Sequence, residues 1–87
     1  MTGPFRVLVT RRAERDIADL DPLVRRRVHV ALLDLERDPL ARATKLTSFE
    51  LGDYRVRVGD WRVVFDLEGN DVVVLRVGHR REIYRRG

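Results

Sequence analysis

The chain has no cysteine, which excludes disulfides, thiol nucleophiles and thiolate metal ligands. Its two histidines, His29 and His79, stand far apart, and no carboxylates pair at ligand spacing, so neither a metal site nor a cofactor is expected. Long apolar runs are lacking too. The N-terminal MTGPFRVLVTRR meets arginines at once, too early for a signal peptide, and nothing approaches the ~20 apolar residues of a membrane span. A soluble, cytoplasmic chain is the expectation. Lysine is almost absent: Lys45 stands alone and the other basic residues are arginine. Planar guanidinium groups suit bidentate phosphate contacts, although a GC-rich genome would leave the same bias.

What is present fits one small unit. Eighty-seven residues with 44% hydrophobic content supply a single modest core, so residues 1–87 are read as one domain without a separate substrate domain. The 18 basic against 14 acidic residues give a formal charge of +4. With a pI near 10.6, the chain suits a polyanion or an acidic protein as partner.

Periodicity predicts the elements. Phe5 to Val9 reads as a first strand, after which Thr10 can cap a helix carrying Ala13, Ile17 and Leu20 at helical spacing. Asp21-Pro22 opens a second, longer helix whose Val24, Val28, Ala31, Leu32 and Leu35 form one apolar stripe and which ends near Asp38-Pro39. Arg25, Arg26 and Arg27 read as its wet side, with ribosomal RNA as an alternative contact, and His29 as structural. Residues 39–52 show neither period and read as a loop anchored by Leu46, Phe49 and Leu51. Three antiparallel strands follow, giving an α+β domain in the order β-α-α-β-β-β, with both helices on one face of a twisted antiparallel sheet.

The last third carries the chemistry. Arg55 and Arg57 alternate with Tyr54, Val56 and Val58, so the arginines share one face and the apolar residues the other. Gly59-Asp60 suits a two-residue type II′ turn, which sets Val58 against Trp61 and Arg57 against Arg62. Like charges directly opposed cost roughly 0.2–1 kcal/mol, an expense that a bound polyanion would explain. A three-residue loop through Glu68-Gly69-Asn70 would then set Phe65 against Val73 and Arg76 against Arg62. On that register Trp61, Val63, Phe65, Val73, Leu75 and Val77 share the core face. Arg55, Arg57, Arg62, Arg76 and Arg80 share an opposite face left open to a ligand, and a bulge at Gly78 would turn His79 and Arg80 to either side. A solvated surface is the plainer account of such arginines, and a capping role that of His79.

Lys45-Leu46, the run Tyr54-Arg55-Val56-Arg57-Val58-Gly59-Asp60-Trp61-Arg62-Val63 and the closing Val77-Gly78-His79-Arg80-Arg81-Glu82-Ile83-Tyr84 resemble the RelE-type toxins of the RelE/ParE toxin–antitoxin superfamily. The resemblance covers almost the whole chain. It implies a RelE-like fold and the activity of a type II toxin: a ribosome-dependent endoribonuclease that cuts messenger RNA in the decoding site without a metal, by 2′-hydroxyl attack on the adjacent phosphate. It carries a catalytic role onto Arg55, Arg57, Arg62, Arg80 and Tyr84. It also implies three partners, namely the ribosome, mRNA and a cognate antitoxin, RelB-like and acidic, that binds by helix-in-groove packing and charge neutralisation.

The residue types fit that reaction. Arg57 and Arg62 would bind the scissile phosphate, Arg80 would stabilise charge near the leaving oxygen, and Tyr84 would orient or stack on the substrate. Arg55 and Arg57 stand where the best-known members carry lysine, and arginine, with a pKa above about 12, does not give up its proton. The general base then falls to His79, whose ordinary pKa is about 6.5, with Glu82 and Tyr84 as lesser candidates. Two rivals share the fold: a ParE-like inhibitor of DNA gyrase, and an inactive module that only binds its antitoxin.

Overall fold

Thr10, at the end of a strand, and Asp21, after a short turn, each open a helix. The Thr10 hydroxyl accepts from the Ala13 N–H at 3.2 Å and starts α1 (Arg11–Ala18). The Asp21 carboxylate accepts from the N–H groups of Leu23 (3.0 Å) and Val24 (3.2 Å), and with Pro22 in the first turn it starts α2 (Pro22–Arg37). These bonds satisfy amides that no intrahelical carbonyl can reach. The computed structural model describes residues 3–47 and 52–83. Phe49, Leu51 and Tyr84 therefore lie outside the described residues.

The strands are β1 (Arg6–Val9), β2 (Thr44–Lys45), β3 (Tyr54–Val58), β4 (Trp61–Glu68) and β5 (Asp71–His79), lying in the order β1-β5-β4-β3-β2. The sheet is mixed, which corrects the all-antiparallel expectation: β1 runs parallel to β5, while the other pairs are antiparallel. Parallel pairing needs a connection long enough to return the chain to the same end of the sheet, and the helices and meander supply it. The Arg6 guanidinium bonds Asp71 at 3.0 and 3.2 Å where those two residues pair, and this hydrogen bonding and attraction raise its pKa above the ordinary value. The expected loop over 39–52 contains the short β2, which pairs Thr44 with Arg55 and Lys45 with Tyr54.

The first hairpin matches its expected register, with Val58 opposite Trp61 and Arg57 opposite Arg62. Gly59 has φ +62° and no non-glycine among the described residues has positive φ, the sign pattern of a II′ turn. The second hairpin differs. Gly69, at φ +61°, opens a two-residue turn, so Glu68 pairs with Asp71 and Phe65 with Val74. This one-residue shift moves Val72 and Val74, rather than Val73 and Leu75, onto the core face. An irregularity between Val64 and Phe65 then sets Val64 opposite Arg76, leaving Leu75 as the extra residue, and Val77 returns to the core opposite Val63. The bulge thus sits at Leu75, not at Gly78, and Arg62 faces Gly78 rather than Arg76.

Val63, Phe65, Val72 and Val74 are fully buried against Ala13, Val28 and Leu35 of the helices, with Tyr54 stacked on Phe65 at 5.6 Å between ring centroids. The opposite face is not open, as the arginine pattern had implied. Val64 there is fully buried and Arg62 only 8% exposed. A Cβ at Gly52 would stand 2.8 Å from both Val64 and Leu75, and one at Gly78 would touch Ile83, so these two segments cover part of that face. Among the described residues no helix is long and apolar enough to cross a membrane.

Candidate functional site

The Gly59-Asp60 turn gathers charge from three parts of the chain. From within the hairpin, Arg62 sends Nη1 back to the carbonyls of Gly59 and Trp61, each at 2.9 Å. From the end of β5, the Arg80 N–H donates to the Asp60 carbonyl at 2.8 Å, and Arg80 Nε stands 3.7 Å from Asp60 Oδ1. From α2, the Arg27 guanidinium lies against Gly59, its Nη2 3.3 Å from where a Cβ would be. Arg57, directly opposite Arg62, is exposed and joins Arg27, Arg42 and Gly59 around a concavity of about 390 Å³.

Arg57 and Arg62 are opposed in the ladder, yet one is open to solvent and the other is folded under the turn. Two carbonyl oxygens offset part of the repulsion that the pairing implies. The result is a buried guanidinium with exposed ones beside it, an arrangement able to hold a phosphodiester and to stabilise charge that develops on it.

The other sequence candidates are distributed differently. Arg55 is half-buried two residues further along β3, between Val64 and Thr44. Arg76 is held by α1, its Nε bonding Asp16 at 2.9 Å, so its charge is neutralised away from the turn. His79 pairs with Trp61, edge-on at 5.4 Å between ring centroids, and therefore shares the helix-side face rather than that of Arg57 and Arg62. Its Nδ1 accepts from the Arg81 N–H at 3.2 Å, which puts the proton of a neutral ring on Nε2. Tyr84 falls beyond the described residues.

Arg27 was missed by sequence reasoning. It lies in the Arg25-Arg26-Arg27 run that periodicity assigns to solvent, and nothing local marks the one that reaches a turn 32 residues downstream. Asp60, which orients Arg80, was read only as a turn residue.

This geometry can be set beside known proteins. A family model described as the ParE toxin of the type II toxin–antitoxin system, parDE, matches residues 7–84. Toxin RelG of Mycobacterium tuberculosis is 38% identical over 86 residues, 95% of this chain and 99% of that protein. The structure of the toxin–antitoxin complex RelBE2 from Mycobacterium tuberculosis matches with a TM-score of 0.80 and 32% identity, over 88% of this chain and 99% of that one. The RelE-RelB complex from Pyrococcus horikoshii shares the fold, with a TM-score of 0.76 at 24% identity over 91% and 98% of the two chains.

Proposed function

Because this chain belongs to the RelE/ParE superfamily of type II toxin–antitoxin toxins, we propose that it is a ribosome-dependent mRNA interferase. The observation that carries this reading is the convergence of Arg27, Arg57, Arg62 and Arg80 on one hairpin turn. Arg57 and Arg62 bind the scissile phosphate, with Arg27 as a further grip. The 2′-hydroxyl gives its proton to His79 as its oxygen attacks phosphorus, the bond to the 5′-oxygen breaks, and Arg80 stabilises the charge on that departing oxygen, which takes a proton from water. The products are a 2′,3′-cyclic phosphate and a 5′-hydroxyl, and no metal takes part. Arg55 extends the basic track along β3, and Tyr84 orients the substrate.

Proton transfer falls to His79, whose Nδ1 exchanges the Arg81 N–H for the 2′-hydroxyl when the substrate is bound. It lies on the other face of the sheet from the phosphate-binding pair on β3 and β4, so the message must pass round the end of β5 to meet both. The ribosome imposes such a path; free RNA does not, and is cut poorly. The natural partners are then mRNA, the ribosome and a RelB-like acidic antitoxin, and the site of action is the cytoplasm.

Purified protein, ribosomes and a short message test the reading. Fragments ending in a 2′,3′-cyclic phosphate are expected, with about 100-fold slower cleavage for Arg80→Ala, the scale for removing one charge-stabilising donor. Intact message at high enzyme excess would overturn it. The matching family model is that of ParE toxins, which favours gyrase inhibition as the second reading. Growth arrest that survives Arg57→Ala and Arg80→Ala, accompanied by loss of DNA supercoiling, would establish that one instead. An absence of both effects would leave a chain that only binds its antitoxin.

A further inference from the structure

Trp61 touches both halves of the site that the sheet keeps apart. Its carbonyl accepts from Arg62 Nη1 at 2.9 Å, which ties its backbone to the buried member of the phosphate-binding pair. Its side chain points to the other face, where it meets His79 edge-on across the β4–β5 ladder at 5.4 Å between ring centroids. The indole is itself held. It is half-buried and packed against the core, and its uncovered part lines a cleft of about 230 Å³ with His79, Asp19 and Glu82. An aliphatic side chain would serve the core; a ring adds a face and an edge for the imidazole.

Among the described residues, the other hydrogen bonds of His79 act on its backbone or are given up in the reaction. Trp61 and His79 form the last pair of the ladder, after which the chain turns and the His79 carbonyl accepts from the N–H groups of Glu82 and Ile83, each at 2.9 Å. Those bonds fix the backbone and leave the ring free to rotate. The bond from the Arg81 N–H to Nδ1 at 3.2 Å does hold the ring, but it is the one exchanged for the 2′-hydroxyl. The indole contact uses no lone pair of Nδ1 and persists through that exchange.

We propose that Trp61 is a positioning residue, whose indole holds the His79 imidazole in the orientation from which Nδ1 takes the 2′-hydroxyl proton and becomes an imidazolium. The proposal rests on the nuclease reading with His79 as its base, and adds what aims that base. Without the indole the imidazole has about six arrangements, three at χ1 and two at χ2, so roughly one-sixth of the molecules would present Nδ1 to the substrate. Trp61 restricts that choice before the message arrives, which is where preorganisation contributes to rate.

Cleavage of a short message by the whole toxin on ribosomes is the test. Trp61→Leu keeps an apolar side chain against the core and removes the ring; its kcat is expected to fall about 5- to 10-fold with KM unchanged, since binding belongs to the arginines. Trp61→Phe restores a ring and is expected to stay within about twofold of wild type. In a His79→Ala background, Trp61→Leu is expected to change kcat by less than about twofold, because a residue that acts through His79 has nothing left to aim. Equal losses from Trp61→Leu with and without His79, or equal losses from the Leu and Phe variants, would make Trp61 a packing residue and overturn the proposal while leaving the nuclease reading intact. Wild-type cleavage by His79→Ala would remove the base and the proposal with it, but not the nuclease. Intact message with wild-type toxin would overturn both. Should Trp61→Leu fail to fold, nuclear magnetic resonance of the wild-type toxin decides. Nuclear Overhauser contacts between indole and imidazole, with His79 resonances displaced by the indole ring current, are expected, and their absence would overturn the proposal.

Discussion

Gly59 does two jobs with no side chain: it holds φ +62° at the head of the turn, and it leaves the space that the Arg27 guanidinium occupies. Alanine there is strained by the backbone and crowded by Arg27, and a Gly59→Ala variant is expected to lose about 1–3 kcal/mol. Thermal melting would read this as a fall of roughly 4–8 °C per kcal/mol for a domain of this size. An unchanged melting temperature would show that the turn has another conformation. The two opposed arginines divide differently between stability and activity. Arg62 is buried and holds two carbonyls, so Arg62→Ala is expected to cost about 1–3 kcal/mol in urea denaturation. Arg57 is exposed, and Arg57→Ala should lie within about 0.5 kcal/mol of wild type. Both should slow cleavage. Equal stability losses would mean that Arg62 does not anchor the turn.

Among the elements, β5 depends most on a neighbour that is not a strand. β1 pairs with it only from Asp71 to Val74, and beyond that point α1 completes its edge. The Thr10 hydroxyl donates to the Leu75 carbonyl at 3.3 Å, and one carboxylate oxygen of Asp16 accepts from both the Val77 N–H and Arg76 Nε at 2.9 Å. Asp16→Ala strands that amide and a half-buried guanidinium, a loss of about 2 kcal/mol. Asp16→Asn keeps an acceptor and should lose less. Hydrogen exchange at the Val77 amide should accelerate most in the alanine variant, and unchanged protection would show that water replaces the carboxylate. Such contacts explain what was legible in the sequence. Both helix starts, the buried stripe of α2 and the first hairpin are local, set by a cap residue, a period or a two-residue turn, and they are read directly from spacing. The second hairpin was misread because Gly69 admits loops of two or three residues, and one step exchanges the faces of Val72 and Val73. The bulge at Leu75 then undoes that exchange for Val77, with no residue in the strand announcing it. The arginines show the same divide: alternation paired Arg57 with Arg62, but the capture of Arg76 by Asp16 and the reach of Arg27 to Gly59 are tertiary events between elements distant in sequence.

At the scale of the molecule, four arginines from three parts of the chain gather at the Gly59-Asp60 turn, and salt is the probe of them. If Arg27, Arg57, Arg62 and Arg80 each meet a phosphate, the logarithm of affinity for single-stranded RNA should fall against the logarithm of salt with a slope of about −2 to −3. A slope near zero would mean that the cluster does not face the RNA backbone. The parallel pairing of β1 with β5 has a different kind of consequence, one of timing. Arg6 and its partner Asp71 are 65 positions apart, so the first strand to be made is among the last to find its place. At the roughly 5–20 residues per second of synthesis, about 3–13 s separate the two. For that interval the nascent chain has an unpaired strand at its head and no finished sheet, and Arg80 follows later still. The arginine cluster is thus completed only when nearly all of the domain has been made, and a chain cut short anywhere before β5 can assemble neither the sheet nor the site.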